Sequence, residues 1–154
     1  MPSYKDITDA YAAAHARFNL AIKKVIGFLP LLRKTIEDGL GAPAMNVILF
    51  PMNGEPDRDY SGEADVAHFD GKDSWHVGLA IHIGNAQRVK FHIVLDMRNG
   101  ECFARIGPDG EPYEVKKHYQ ALANKLAELA IERLNELAID PAHKESFWIK
   151  TNQC

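Results

Sequence analysis

Cysteine is almost missing from this chain: Cys102 and the final Cys154 are the only two in 154 residues. A disulfide framework and a Cys-rich zinc centre are thereby excluded. Long apolar runs are missing as well. The longest uncharged apolar stretch, Val25–Leu32, is far short of the ~20 residues that cross a bilayer. The opening residues Met1–Asp6 lack the apolar core of a secretory signal, so a cytoplasmic protein without membrane contact is expected. Nor is there an excess of positive charge. Eighteen Lys and Arg stand against 21 Asp and Glu, a net charge of −3, which argues against a general nucleic-acid binder. Catalytic signatures are lacking too: no G-x-S-x-G elbow, Walker A loop, dinucleotide fingerprint or H-E-x-x-H occurs. Triads assemble from distant positions, so this lowers the expectation of an enzyme without removing it.

What is present is an ordinary globular composition, 46% hydrophobic and 25% charged, expected to fold as a single domain over residues 1–154. Charge is unevenly spread along it. Residues 3–40 carry net +2, residues 51–74 net −5, residues 75–107 net +2 and residues 108–154 net −2. A moderately cationic middle therefore adjoins a strongly acidic connection, a pattern that serves specific electrostatics better than a general polyanion surface.

Ser3 followed by Asp6 opens a helix. Ile7, Tyr11, Ala14, Phe18, Ala21, Val25, Phe28 and Leu32 then recur at spacings of four and three, a helical period. Around Val25–Leu32 the apolar surface nearly encircles the helix, which predicts burial on several sides or a two-fold homodimer through this stretch or through a sheet edge. Gly27 and Pro30 predict a kink or a break there. Gly39, Gly41 and Pro43 end the helix. Met45–Phe50 reads as a short strand, followed by a long polar connection over residues 51–74. Trp75–Gly84 and Arg88–Arg98 alternate between apolar and polar residues, the pattern of antiparallel strands with one face on a core. Asn99-Gly100 marks a tight hairpin that pairs Arg98 with Glu101 and sends Cys102, Ala104 and Ile106 to the core face. A second amphipathic helix runs from Val115 through Leu137, ending near Asp140-Pro141. Ser146–Thr151 forms a last strand or a docked tail. The expected fold is α+β: a long N-terminal helix, a four-stranded or five-stranded antiparallel β-meander, and a C-terminal helix packed on one face of the sheet.

The polar side of the meander carries His76, His82, Lys90, His92, Arg98, Phe103 and Arg105. This face is the candidate surface for a ligand or nucleic acid. The alternation brings His82 and His92 close enough to share a metal ion, which only a third ligand such as His76 or Asp96 would make tight. Nearby Arg88, Lys90 and Arg105 disfavour a cation, and no metal or cofactor is expected. Phe103 is the one aromatic on this face, thin support for base stacking; cover by the C-terminal tail or a second subunit is the alternative for it.

The acidic connection supplies a second candidate surface. Glu55, Asp57 and Asp59 alternate as calcium ligands do, but the glycine such a loop needs at its sixth position is missing. Glu55, Asp57, Asp59, Tyr60, Glu63 and Asp65 instead suit docking to a basic protein partner. The function expected is therefore a small non-enzymatic binding protein of inhibitor, immunity or chaperone type, of bacterial or phage origin, acting through protein–protein contacts. Nucleic-acid or nucleotide binding on the histidine face is the first alternative, and a small enzyme using that face with Asp96 is the second.

Overall fold

The computed structural model describes residues 1–84, 87–142 and 146–149. Helix α1 (Tyr4–Leu40) begins in a capping box: Asp6 N–H donates to Ser3 Oγ, and Ser3 N–H donates to Asp6 Oδ2 at 2.8 Å. It ends at Gly41, whose left-handed φ of 66° lets its N–H reach the Asp38 carbonyl. Between these caps the helix is continuous through Pro30, so the break into two helices expected at Gly27 and Pro30 does not occur. Pro30 lies on the exposed side while its neighbours Leu29 and Leu32 are fully buried. Their packing on both sides of the proline offsets the hydrogen bond it cannot make.

The strands are β1 (Val47–Phe50), β2 (His68–Phe69), β3 (Ser74–Gly84), β4 (Gln87–Arg98), β5 (Glu101–Ile106), β6 (Tyr113–Glu114) and β7 (Ser146–Trp148), with helix α2 (Val115–Asn135) between the last two. Their order is β1-β3-β4-β5-β6; β2 extends the β1 edge of β3, and β7 lies along β4. The fold is thus α+β as its periodicities require, with an antiparallel sheet between a long first helix and a second helix. The sheet has seven strands among the described residues, not four or five, because β2 and β6 are two-residue pairings too short to carry an alternation. It is also not wholly antiparallel, since β7 runs parallel to β4. Arg98 pairs with Glu101 across the Asn99-Gly100 turn, the register that hairpin chemistry dictates.

One face of the sheet, including Trp75, Val77, Leu79, Phe91, Ile93 and Leu95, packs on Val25, Leu29, Leu32 and Ile36 of α1 and on Leu122 and Leu126 of α2. Of the alternatives for the apolar stretch Val25–Leu32, burial in the chain's own core is seen at Val25, Leu29 and Leu32, which are 0–1% exposed. Helix α2 departs from helical geometry at His118 (φ −119°, ψ 26°) and stops at Asn135, short of Asp140-Pro141. Beyond it Glu136, Ala138 and Asp140 are exposed, so nothing buries a further turn. No helix among the described residues is long and apolar enough to cross a membrane.

The two ends of α1 live in different surroundings. Residues 1–20 are all exposed, and burial starts only at Ala21. At 1.5 Å per residue the free section is roughly 25 Å long. Among the described residues Phe18 anchors it, stacked on Trp75 at 5.6 Å and edge-on to Phe69 at 5.8 Å. The buried end is tied down by Arg33, which donates to Glu37 at 2.9 Å and pairs with Asp59 at 3.4 Å. Glu37 also accepts from Met45 N–H, and Asp59 from Leu49 N–H at 3.0 Å. One guanidinium thus joins helix, strand and the long connection.

Candidate functional site

Alternation along β3 and β4 sends His76, Gly78 and His82 of one strand, and Lys90, His92 and Asp96 of the next, to the side away from the helices. Register decides which of them meet. Gly78 lies opposite His92, His76 opposite Val94, and His82 opposite Arg88. The contact formed is between the diagonal neighbours His76 and His92, with Nδ1 of the first 2.6 Å from Nε2 of the second. The sharing of a ligand by His82 and His92 is therefore corrected: His82 lies at the other end of β3, beside a cleft it shares with Asp57, Arg58 and Arg88. Among the described residues no three His, Cys, Asp or Glu side chains are grouped to hold a metal ion.

Asp70 completes the pair. Its Oδ2 lies 3.2 Å from His76 Nε2. Because an ionised carboxylate only accepts, His76 Nε2 carries a proton toward Asp70, and its Nδ1 shares one further proton with His92 Nε2, the donor being set by the tautomer. The result is a carboxylate–imidazole–imidazole chain running from Asp70 through His76 to His92. Such a chain fixes tautomers and passes a proton along one line. The Lys72 backbone N–H first, aided by His76 and the Ser74 N–H, holds the Asp70 carboxyl down to about 2. Burial first, then His76 and the Arg105 guanidinium, keeps the His92 imidazole below its usual range.

That direction sets a pH dependence. The unfolded chain protonates its histidine near 6.5, whereas folded His92 does so only at lower pH. Stability is therefore complete above this value and declines as pH falls through it, until folded His92 itself titrates. Urea midpoints followed from about pH 7.5 to about pH 5 should fall less steeply in His92→Gln than in wild type. Equal slopes would show that folding does not change the affinity of His92 for protons.

The other residues of this face are engaged locally. Asp96 is buried; it accepts from Ser74 Oγ and from Arg105 Nε at 3.0 Å, and Arg105 also donates to the Pro108 carbonyl. Lys90 lies 4.5 Å over the Trp148 ring, and Trp148 packs on Phe50 at 5.8 Å. Arg98 lies over Phe103 at 5.5 Å. The described part of the tail thus lies on Phe50 and Lys90, with Trp148 paired in parallel to Lys90. Cys102, on the opposite face, has its thiol pushed up to about 12, by burial first and then by Asp96, so it is poorly suited to act as a nucleophile.

The acidic connection is also partly occupied by its own fold. Asp59 accepts from Leu49 N–H, Ser61 N–H and Ser61 Oγ and pairs with Arg33, so it is structural and faces inward. Tyr60 donates its hydroxyl proton to Asp57, and Arg58 pairs with Glu63 at 2.7 Å while stacking on Tyr60. Glu55 and Asp65 remain exposed. Asp65, His68 and His76 line a cleft of about 470 Å³ with Asn53, Met52 and Val66.

The candidates read from the sequence thus separate into a histidine chain, a Ser74–Asp96–Arg105 cluster, a tail-covered patch and a braced loop. Asp70 was not among them. Its signal was the Asp70-Gly71 dipeptide between His68–Phe69 and Trp75–His76, a hairpin turn that brings β2 alongside β3. Neither a known family model, nor a curated protein, nor a solved structure matches the chain, so its function is argued from this geometry.

Proposed function

We propose that this is a small non-enzymatic binding protein acting through protein–protein contacts, of the inhibitor, immunity or chaperone type, with the free half of α1 as its principal contact surface. The observation that carries this reading is the exposure of bulky apolar side chains along one stripe of that helix: Tyr4 at 80%, Ile7 at 65% and Tyr11 at 70%. Apolar side chains grouped in this way on a projecting element are characteristic of interaction sites. A reducing cytoplasm belongs to the same reading, since Cys102 is a free buried thiol. Glu55 and Asp65 would add a charged rim facing a basic partner, while Asp57, Tyr60 and Glu63 contribute only if their mutual contacts open.

The two alternative readings draw less support. Lys90, Arg98 and Arg105 each have an internal partner, which leaves the sheet face with little free positive charge for phosphate. The Asp70–His76–His92 chain would suit proton transfer, but Ser74, the serine on this sheet face, is held by Asp96 and Arg105 rather than by a histidine. Affinity capture with the full chain is expected to recover a specific protein, and Ile7→Asp with Tyr11→Asp should reduce that recovery roughly tenfold or more. Recovery unchanged by the double variant would remove the helix from the proposal.

A further inference from the structure

We infer that the contact surface of α1 pairs with the same surface of a second copy, the two helices running antiparallel. This deepens the reading of the free helix as a contact element and rests on it. The stripe Tyr4, Ile7, Tyr11, Ala14, Phe18 and Ala21 continues without change of spacing into Val25, Phe28 and Leu32, and alternate steps of three and four are the seam of paired helices. From Ala21 onward the sheet covers that seam; before it, apart from the edge taken by Phe18, nothing among the described residues does.

Size and charge along the stripe select the occupant. Antiparallel pairing about its middle sets Tyr4 against Ala21, Ile7 against Phe18 and Tyr11 against Ala14 of the second copy. Both tyrosines then meet alanines, and Ile7 meets Phe18. At 100° per residue, Asp6, Arg17 and Lys24 share one flank of the seam. In the antiparallel register Asp6 of each copy falls between Arg17 and Lys24 of the other, on both sides of the pair. In a parallel pair the same flank of the two copies lies on opposite sides, so Asp6 would face the flank of Thr8, His15 and Ile22 and meet neither cation; opposed helix dipoles add to the preference for the antiparallel register. The exposed parts of Tyr4, Ile7, Tyr11 and Phe18 leave about 450 Å² per copy to be covered, so the pair lies at the small end of specific interfaces and its dimerisation is concentration-dependent.

Sedimentation of the purified full chain over a wide concentration range tests this. Wild type is expected to shift from monomer to dimer. Ile7→Asp with Tyr11→Asp should remain monomeric with an unchanged unfolding midpoint, since both positions lie outside the core. Arg17→Glu with Lys24→Glu should weaken the dimer roughly tenfold, and adding Asp6→Lys should restore it. In a Cys154→Ser background, chains carrying Thr8→Cys should oxidise to chains carrying His15→Cys and not to themselves. A monomeric wild type, a dimer indifferent to the charge reversals, or self-crosslinked Thr8→Cys chains would each overturn antiparallel self-pairing. The broader reading of α1 as a contact surface would fail separately, by capture of a different protein that is indifferent to Ile7→Asp with Tyr11→Asp.

Discussion

Arg33→Met is expected to lower the stability of this protein by about 3 kcal/mol or more. The guanidinium is only 16% exposed and faces two carboxylates, Glu37 at 3% and Asp59 at 15% exposure. Methionine keeps the apolar stem of the side chain and removes the guanidinium head, so the loss is chiefly electrostatic. It leaves Glu37 and Asp59 with backbone N–H donors but no cation; Lys34 reaches Glu37 only from 3.8 Å at the surface. Removing one partner of a buried pair costs more than the pair itself contributes, because the remaining charge has lost both water and counter-ion. Urea unfolding of the two proteins gives the difference directly. A loss below about 1 kcal/mol would mean that water reaches this network and that it behaves as a surface pair. The same substitution should loosen the connection after β1, since Asp59 is its inward anchor, and proteolysis at residues 51–67 is expected to quicken.

Gly78→Val is expected to be comparably damaging, for a steric reason. A Cβ at position 78 would lie 2.5–2.7 Å from Phe50 ring atoms, so the ring that covers this glycine has to move. Phe50 is fully buried and carries Trp148 on its far side. Displacing it disturbs both the second, smaller core cluster of Ile48, Phe50 and Ala80 and the docking of the tail. Overpacking of this kind costs about 1–3 kcal/mol, with the upper end expected here because the obstacle is a rigid ring with no free side. The chain has two tryptophans, and Trp75 lies on the opposite face, so a change in Trp148 fluorescence should accompany the lower urea midpoint. Phe50→Ala costs stability by itself, but combined with Gly78→Val it should cost less than the sum of the two. Strict additivity would show that Phe50 is not what excludes a side chain at Gly78.

Both substitutions lie at places the sequence does not single out. Arg33 is one cation among six in residues 3–40, and Gly78 is one small residue in an alternating strand. Their importance arises from groups that approach from elsewhere in the chain: Asp59 from the long connection, Phe50 from the neighbouring strand. The histidines teach the same lesson. Alternation correctly sends His76, His82 and His92 to one face, yet only the β3–β4 register, followed by the short β2 hairpin, pairs His76 with His92 and supplies Asp70. A shift of register by two residues would preserve every alternation and exchange the partners.

What the sequence determined by itself is local: the Ser3–Asp6 cap, the Gly41 stop, the Asn99-Gly100 hairpin, and which side of each long strand faces the core. These depend on dihedral preferences and periodicities that residues within one or two turns already specify. Tertiary structure alone decided how far the core extends. The apolar spacing along α1 is the same from Tyr4 to Leu32, so no residue marks the point at which burial begins. The sheet supplies that boundary at Ala21, leaving one half of a uniform stripe inside the protein and the other half exposed.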